Sequence, residues 1–85
     1  MDFKSATDRL LACGVRTRDI ANAAGLSLNS VARMRLDPSK PSYRRPPKDW
    51  PELLMRVSLA QAADRDRSAL DLRALAEELK ADVKP

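Results

Sequence analysis

No histidine occurs in the 85 residues, and a single cysteine, Cys13, is present. These two shortages exclude a histidine–cysteine metal site and an intramolecular disulfide. Cys13 precedes Gly14 at the end of an apolar run and reads as a buried free thiol, at home in a reducing cytoplasm. Aromatic side chains are also scarce, with one Phe, one Tyr and one Trp, so the core must rest on Leu, Val and Ala. An aliphatic core in a chain this short is marginal, and burying a helix face against a second copy is a common remedy. The two glycines form no phosphate-cradling loop. No nucleophile has a positioned base, and the neighbouring carboxylates Glu77 and Glu78 point apart on a helix. The expectation is a non-enzyme with no cofactor and no metal. No apolar run approaches membrane-spanning length, and Met1–Asp2–Phe3–Lys4 does not open a signal peptide, so a soluble cytoplasmic protein is expected.

Positive charge is plentiful and unevenly placed. Residues 1–48 carry ten Lys or Arg against four Asp, whereas residues 49–85 carry six against eight acidic residues. A basic block joined to an acidic one points to a polyanionic partner for the first, and nucleic acid is the economical choice.

Thr17 to Leu36, TRDIANAAGLSLNSVARMRL, has the spacing of two short helices around one glycine. Ile20, Ala21 and Ala24 line the inner face of the first helix, with Ala21 small because the second helix crosses close to it. Gly25 stands where the backbone must turn, since glycine reaches positive φ without a Cβ clash. Leu26 follows as an apolar plug, and Ser27 can cap the second helix. Val31 and Met34, three apart, face back toward the first. Leu28, Asn29, Ser30 and Arg33 remain outside.

This segment resembles the helix-turn-helix of the Cro/lambda-repressor-like (Xre) superfamily. The motif wants apolar residues at Ile20, Leu26, Val31 and Met34, a small residue at Ala21 and glycine at Gly25, and all six agree. The resemblance implies double-stranded DNA as partner, with the second helix in the major groove. There Asn29 can pair with adenine, Arg33 with guanine, Ser30 with several partners, and Leu28 can pack on a thymine methyl. Thr17, which caps the first helix, and Arg18 beside it, with Ser27 and Arg35, are placed to meet phosphates. A bare motif followed by an arm and packing helices is similar to small phage-type regulators of the bacterial cytoplasm and nucleoid.

The rest of the chain is read from its own residues. Ser5 to Cys13 is a first helix, with Ser5 and Asp8 as its capping box. Asp37 to Pro51 contains five of the six prolines and reads as a stiff, extended basic arm. Its Lys40, Tyr43, Arg44, Arg45 and Lys48 are placed to follow the DNA backbone. Asp49 opens a long helix with Glu52 three places on and Pro51 in the first turn. Trp50, Leu53, Leu54, Val57 and Ala60 run along one face of it, and Met55, Leu59 and Ala62 along another. The stretch Asp64–Arg65–Asp66–Arg67 breaks the chain or forms a solvated turn. Ser68 with Asp71 then opens a last helix striped by Leu72, Leu75, Ala76, Leu79 and Val83. Met55, Leu59, Ala62, Leu72, Leu75 and Leu79 are the expected dimer or partner interface.

The sequence therefore predicts an all-α protein, a small helical bundle of about five helices with a helix-turn-helix. Residues 1–48 would hold the DNA-binding region with its proline-rich basic arm (37–48), and residues 49–85 the packing and dimerisation helices of the same compact domain. The expected function is a transcription regulator acting as a homodimer on an inverted-repeat operator, most simply a repressor working by occlusion. The alternatives are an activator or co-regulator contacting RNA polymerase or another regulator through its C-terminal helices, and an antitoxin-like module.

Overall fold

The computed structural model describes residues 1–65 and 68–83. Its five helices are α1 (Phe3–Ala12), α2 (Thr17–Ala24), α3 (Leu28–Met34), α4 (Trp50–Asp64) and α5 (Ala69–Lys80), and no strand occurs among the described residues. None of the helices is long and apolar enough to cross a membrane.

Helix α1 begins earlier than the Ser5 capping box predicts. Asp2 is the cap, and its carboxylate accepts the Ser5 N–H at 2.7 Å. This earlier start puts Phe3 inside the helix, where it meets Trp50 edge-on with ring centroids 5.8 Å apart. Such a pair contributes about 0.5–1.5 kcal/mol beyond the area it buries. The helix closes at Gly14 with φ +88°, where the Val15 N–H reaches the Leu10 carbonyl at 3.1 Å. Cys13 at this end is half-buried rather than enclosed, because it caps the helix instead of lining its inner stripe.

The core is one cluster drawn from every helix. It includes Phe3, Ala6 and Leu10 of α1, Ile20 and Ala21 of α2, and Val31 and Met34 of α3. From the other half come Leu54, Val57 and Ala62 of α4, with Leu72, Leu75 and Leu79 of α5. Among the described residues two polar ones are fully buried, Thr7 and Ser58. Each hydroxyl donates to a main-chain carbonyl one turn back, Thr7 to Phe3 at 2.9 Å and Ser58 to Leu54 at 2.8 Å, so burial leaves neither unsatisfied.

Helix α4 is the central beam. It packs on α1 and α2 on one side and on α5 along most of its length. Of the two apolar faces read in the sequence, Leu54, Val57 and Ala62 are buried within the chain, whereas Leu59 stays exposed and Met55 is only partly covered. The buried set is Pro51, Leu54, Val57, Ser58 and Ala62, whereas Ala60, assigned to the inner face, is exposed.

The expected interface is corrected in consequence. Leu72, Leu75 and Leu79 are at most 1% exposed and Ala62 is 5% exposed, because α5 lies against α4 and α1 in the same chain. Of the six residues assigned to a partner, Met55 is partly covered by the core and Leu59 is 49% exposed.

Two expected caps exist in position only. Asp49 and Ser68 stand at the N-caps of α4 and α5, but neither side chain bonds the helix N–H groups. Glu52 instead accepts from Arg56 at 2.7 Å. Within the charged stretch α4 ends at Asp64, while Asp66 and Arg67 lie outside the described residues.

Candidate nucleic-acid interface

The pair α2–α3 is joined by three residues, Gly25, Leu26 and Ser27. Gly25 has φ +69°, the left-handed region in which a Cβ is strained. Its N–H bonds the Asn22 carbonyl at 3.3 Å, and the Leu26 N–H reaches back to the Ala21 carbonyl at 2.9 Å. This double closure stops α2 and satisfies its last carbonyls. Leu26 then packs on the core, and Ile20, Ala21, Val31 and Met34 between the two helices are all buried. Ser27 caps α3 as expected, its hydroxyl accepting the Ser30 N–H at 3.0 Å.

Thr17 does not cap α2. The cap is Arg16, whose own N–H donates to the Asp19 carboxylate at 3.0 Å, leaving Thr17 as the first helical residue. Arg18 beside it is exposed.

On α3, Leu28, Asn29, Ala32 and Arg33 are exposed and Ser30 is half-buried. Arg33 nevertheless has an intramolecular engagement, its Nε–H donating to the Ser42 carbonyl at 2.8 Å. Ser30 is engaged as well, since its hydroxyl lies 3.0 Å from that of Ser27 and accepts from Arg44 Nη1 at 2.7 Å. The Arg44 N–H bonds the Arg33 carbonyl at 3.3 Å.

These contacts correct the picture of an extended arm. Proline removes donors and fixes φ but leaves turns open to the chain. The Lys40 N–H bonds the Asp37 carbonyl at 2.9 Å, and the Tyr43 N–H bonds the Lys40 carbonyl at 3.0 Å. Two successive turns thus fold residues 37–43 back against α3 before the chain runs straight to the Pro47–Trp50 turn. The Asp37 carboxylate holds the first turn by accepting the Ser39 N–H at 2.9 Å. That main-chain bond keeps its pKa below the ordinary carboxylate range.

Lys40, Arg44, Arg45 and Lys48 are exposed along this segment. Tyr43 is half-buried and lines a cleft of about 290 Å³ with Phe3, Met34 and Pro38, on the α1 side of the arm. Arg35 leaves the phosphate-facing group altogether. Its Nε–H donates to the Thr7 hydroxyl at 2.9 Å and its Nη2 pairs with Asp8, binding the end of α3 to α1. No local signal in the sequence marks this role, because its partners lie more than 25 positions away.

The surface so assembled is chemically specific. It offers an amide (Asn29), an aliphatic side chain (Leu28) and a fan of guanidinium and ammonium groups, with no carboxylate on the outer face of α3. Amide and guanidinium groups can form paired hydrogen bonds to base edges, and the cations can neutralise phosphates. No protein-family model, no curated protein and no solved structure matches this chain.

Proposed function

We propose that this protein binds double-stranded DNA in a sequence-dependent manner and regulates transcription. Helix α3 enters the major groove, and Lys40, Arg45 and Lys48 of the folded arm bind the flanking phosphates. The observation that carries the reading is the glycine-closed pair α2–α3 with its exposed Leu28–Asn29 end and the basic arm docked directly on it. Asn29 is the adenine reader in this scheme, while Arg18, Arg45 and Lys48 supply charge that fixes register without reading sequence. The +6 balance of residues 1–48 against −2 for residues 49–85 supports the same division of labour.

Repression by occlusion is the simplest mode, because tight binding across a promoter is sufficient for it. A homodimer on an inverted repeat would use Leu59 and Met55 rather than the buried leucines of α5.

The test is selection of duplexes from a random library by the full chain at low salt, followed by titration of the recovered site against salt. A recurrent motif is expected, with affinity falling by several powers of the salt concentration. Equal affinity for recovered and random duplexes would falsify the reading. Solution mass over a range of concentrations, with and without the recovered site, gives the stoichiometry.

A further inference from the structure

Three bonds tie the arm to α3, two of them made by Arg44. The Arg44 N–H bonds the Arg33 carbonyl in the last turn of α3 at 3.3 Å, sharing that acceptor with the Leu36 N–H. Its Nη1 reaches the hydroxyl of Ser30, in the first turn of the same helix, at 2.7 Å. Arg33 holds the chain from the opposite direction, its Nε–H on the Ser42 carbonyl at 2.8 Å. The arm is therefore gripped on both sides of Tyr43. Arg44 spans α3 from its last turn to its first and remains exposed.

A guanidinium has five N–H donors in a rigid fork. Arg44 commits one nitrogen to Ser30, beside Asn29, at the end of the helix that meets base edges in this docking mode. Arg33 directs its Nε–H at main chain of the arm instead. Helix α3 is seven residues long, about two turns, so a side chain delivered from the arm widens what the helix alone can reach.

Resting on the DNA-binding reading above, we propose that Arg44 is a specificity-determining residue that reads a guanine edge next to the base read by Asn29. Arg33 is its positioning residue: it fixes the arm so that Arg44 lies over the first turn of α3.

The experiment compares duplexes selected by the full wild-type chain with those selected by Arg44→Ala, Arg44→Lys and Arg33→Ala. The wild type is expected to select a motif containing one guanine whose preference, about tenfold, disappears in Arg44→Ala and weakens in Arg44→Lys while the other positions persist. Lysine keeps donors for guanine but not the rigid fork, so its preference is expected to fall rather than vanish. Arg33→Ala is expected to lose that same guanine, and the double variant to discriminate no worse than either single one. Hydrogen exchange at the Arg44 amide, read without DNA, is expected to accelerate in Arg33→Ala. Arg33→Lys serves the same comparison should the alanine variant melt early. Full preference in Arg44→Ala would place the guanine reader elsewhere and overturn the assignment, leaving DNA binding intact. Loss of a different base in Arg33→Ala would overturn the positioning role. A wild-type chain that selects no motif sinks the DNA-binding reading and this inference with it.

Discussion

Arg35, one residue past the end of α3, donates its Nε–H to the hydroxyl of the fully buried Thr7 in α1, 2.9 Å away. The same guanidinium pairs with Asp8, the next residue of α1. This arginine is a clamp between the first helix and the helix pair. Arg35→Ala is expected to destabilise the fold by about 1–2 kcal/mol, given that hydrogen bonds from charged donors exceed neutral ones. The loss corresponds to about 4–8 °C in Tm per kcal/mol for a domain of this size. The salt dependence of DNA binding should be unchanged. A salt slope reduced by about one unit with an unaltered Tm would return Arg35 to the phosphate contacts.

Asp8 makes stability depend on acidity. Its pKa lies below the ordinary carboxylate range because Lys4, first, and Arg35, second, donate to the charged form. A carboxylate with a lowered folded value contributes in full above its unfolded pKa of about 4 and loses that contribution as pH falls toward the folded value. The urea midpoint of the wild type is therefore expected to drop below about pH 4 more steeply than that of Asp8→Asn. Asp2 and Asp37, also lowered by main-chain bonds to Ser5 and Ser39, leave a residual slope in the variant. Identical slopes in the two proteins would remove Asp8 from the acid response.

Gly25 permits a clean measurement of backbone strain. A Cβ added there meets nothing within 4 Å, so the positive φ of +69° alone opposes it. Gly25→Ala should cost about 1–2 kcal/mol, and Gly25→Asn less, since asparagine tolerates this conformation better. Chemical denaturation of the three proteins checks the order. Equal stability would mean that the turn rearranges.

The corrected role of α5 is tested by a contrast along one helix. Leu79 is fully buried and Leu70 is 79% exposed. Leu79→Ala should cost about 2–5 kcal/mol, and Leu70→Ala no more than about 0.5. The loss at Leu79 should be independent of protein concentration, because the cavity opens inside a single chain. A cost that shrinks as protein is concentrated would place Leu79 between subunits.

The helices were legible because their signals are local. Gly25 and Ser27 close one helix and open the next within three residues, and the apolar spacing of α4 and α5 survives any tertiary arrangement. What escaped the sequence is what depends on partners far along the chain. Asp2, three residues before Ser5, caps α1 locally, but the burial of Phe3 depends on Trp50, far along the chain. Arg35 looks like any basic residue at a helix end until Thr7 and Asp8 are brought beneath it. The second apolar face of α4 was visible, but its occupant was not, since α5 and a second copy offer the same chemistry to it. The prolines of the arm exclude helix, yet the return of residues 37–43 onto α3 is set by Ser42 and Arg44 finding Arg33 and Ser30.

The Phe3–Trp50 ring pair gives that segment a second anchor. One end is tied to α3 through Ser42 and Arg44, and the other to α1 through Trp50, with Pro46 and Pro47 between them. A tether fixed at both ends and stiffened by consecutive prolines behaves as a ruler. Removing one residue from it would shift its basic groups by about 3 Å, comparable to one step along a DNA strand, instead of being absorbed as slack. Length in this stretch is thus a heritable variable in its own right, separate from composition.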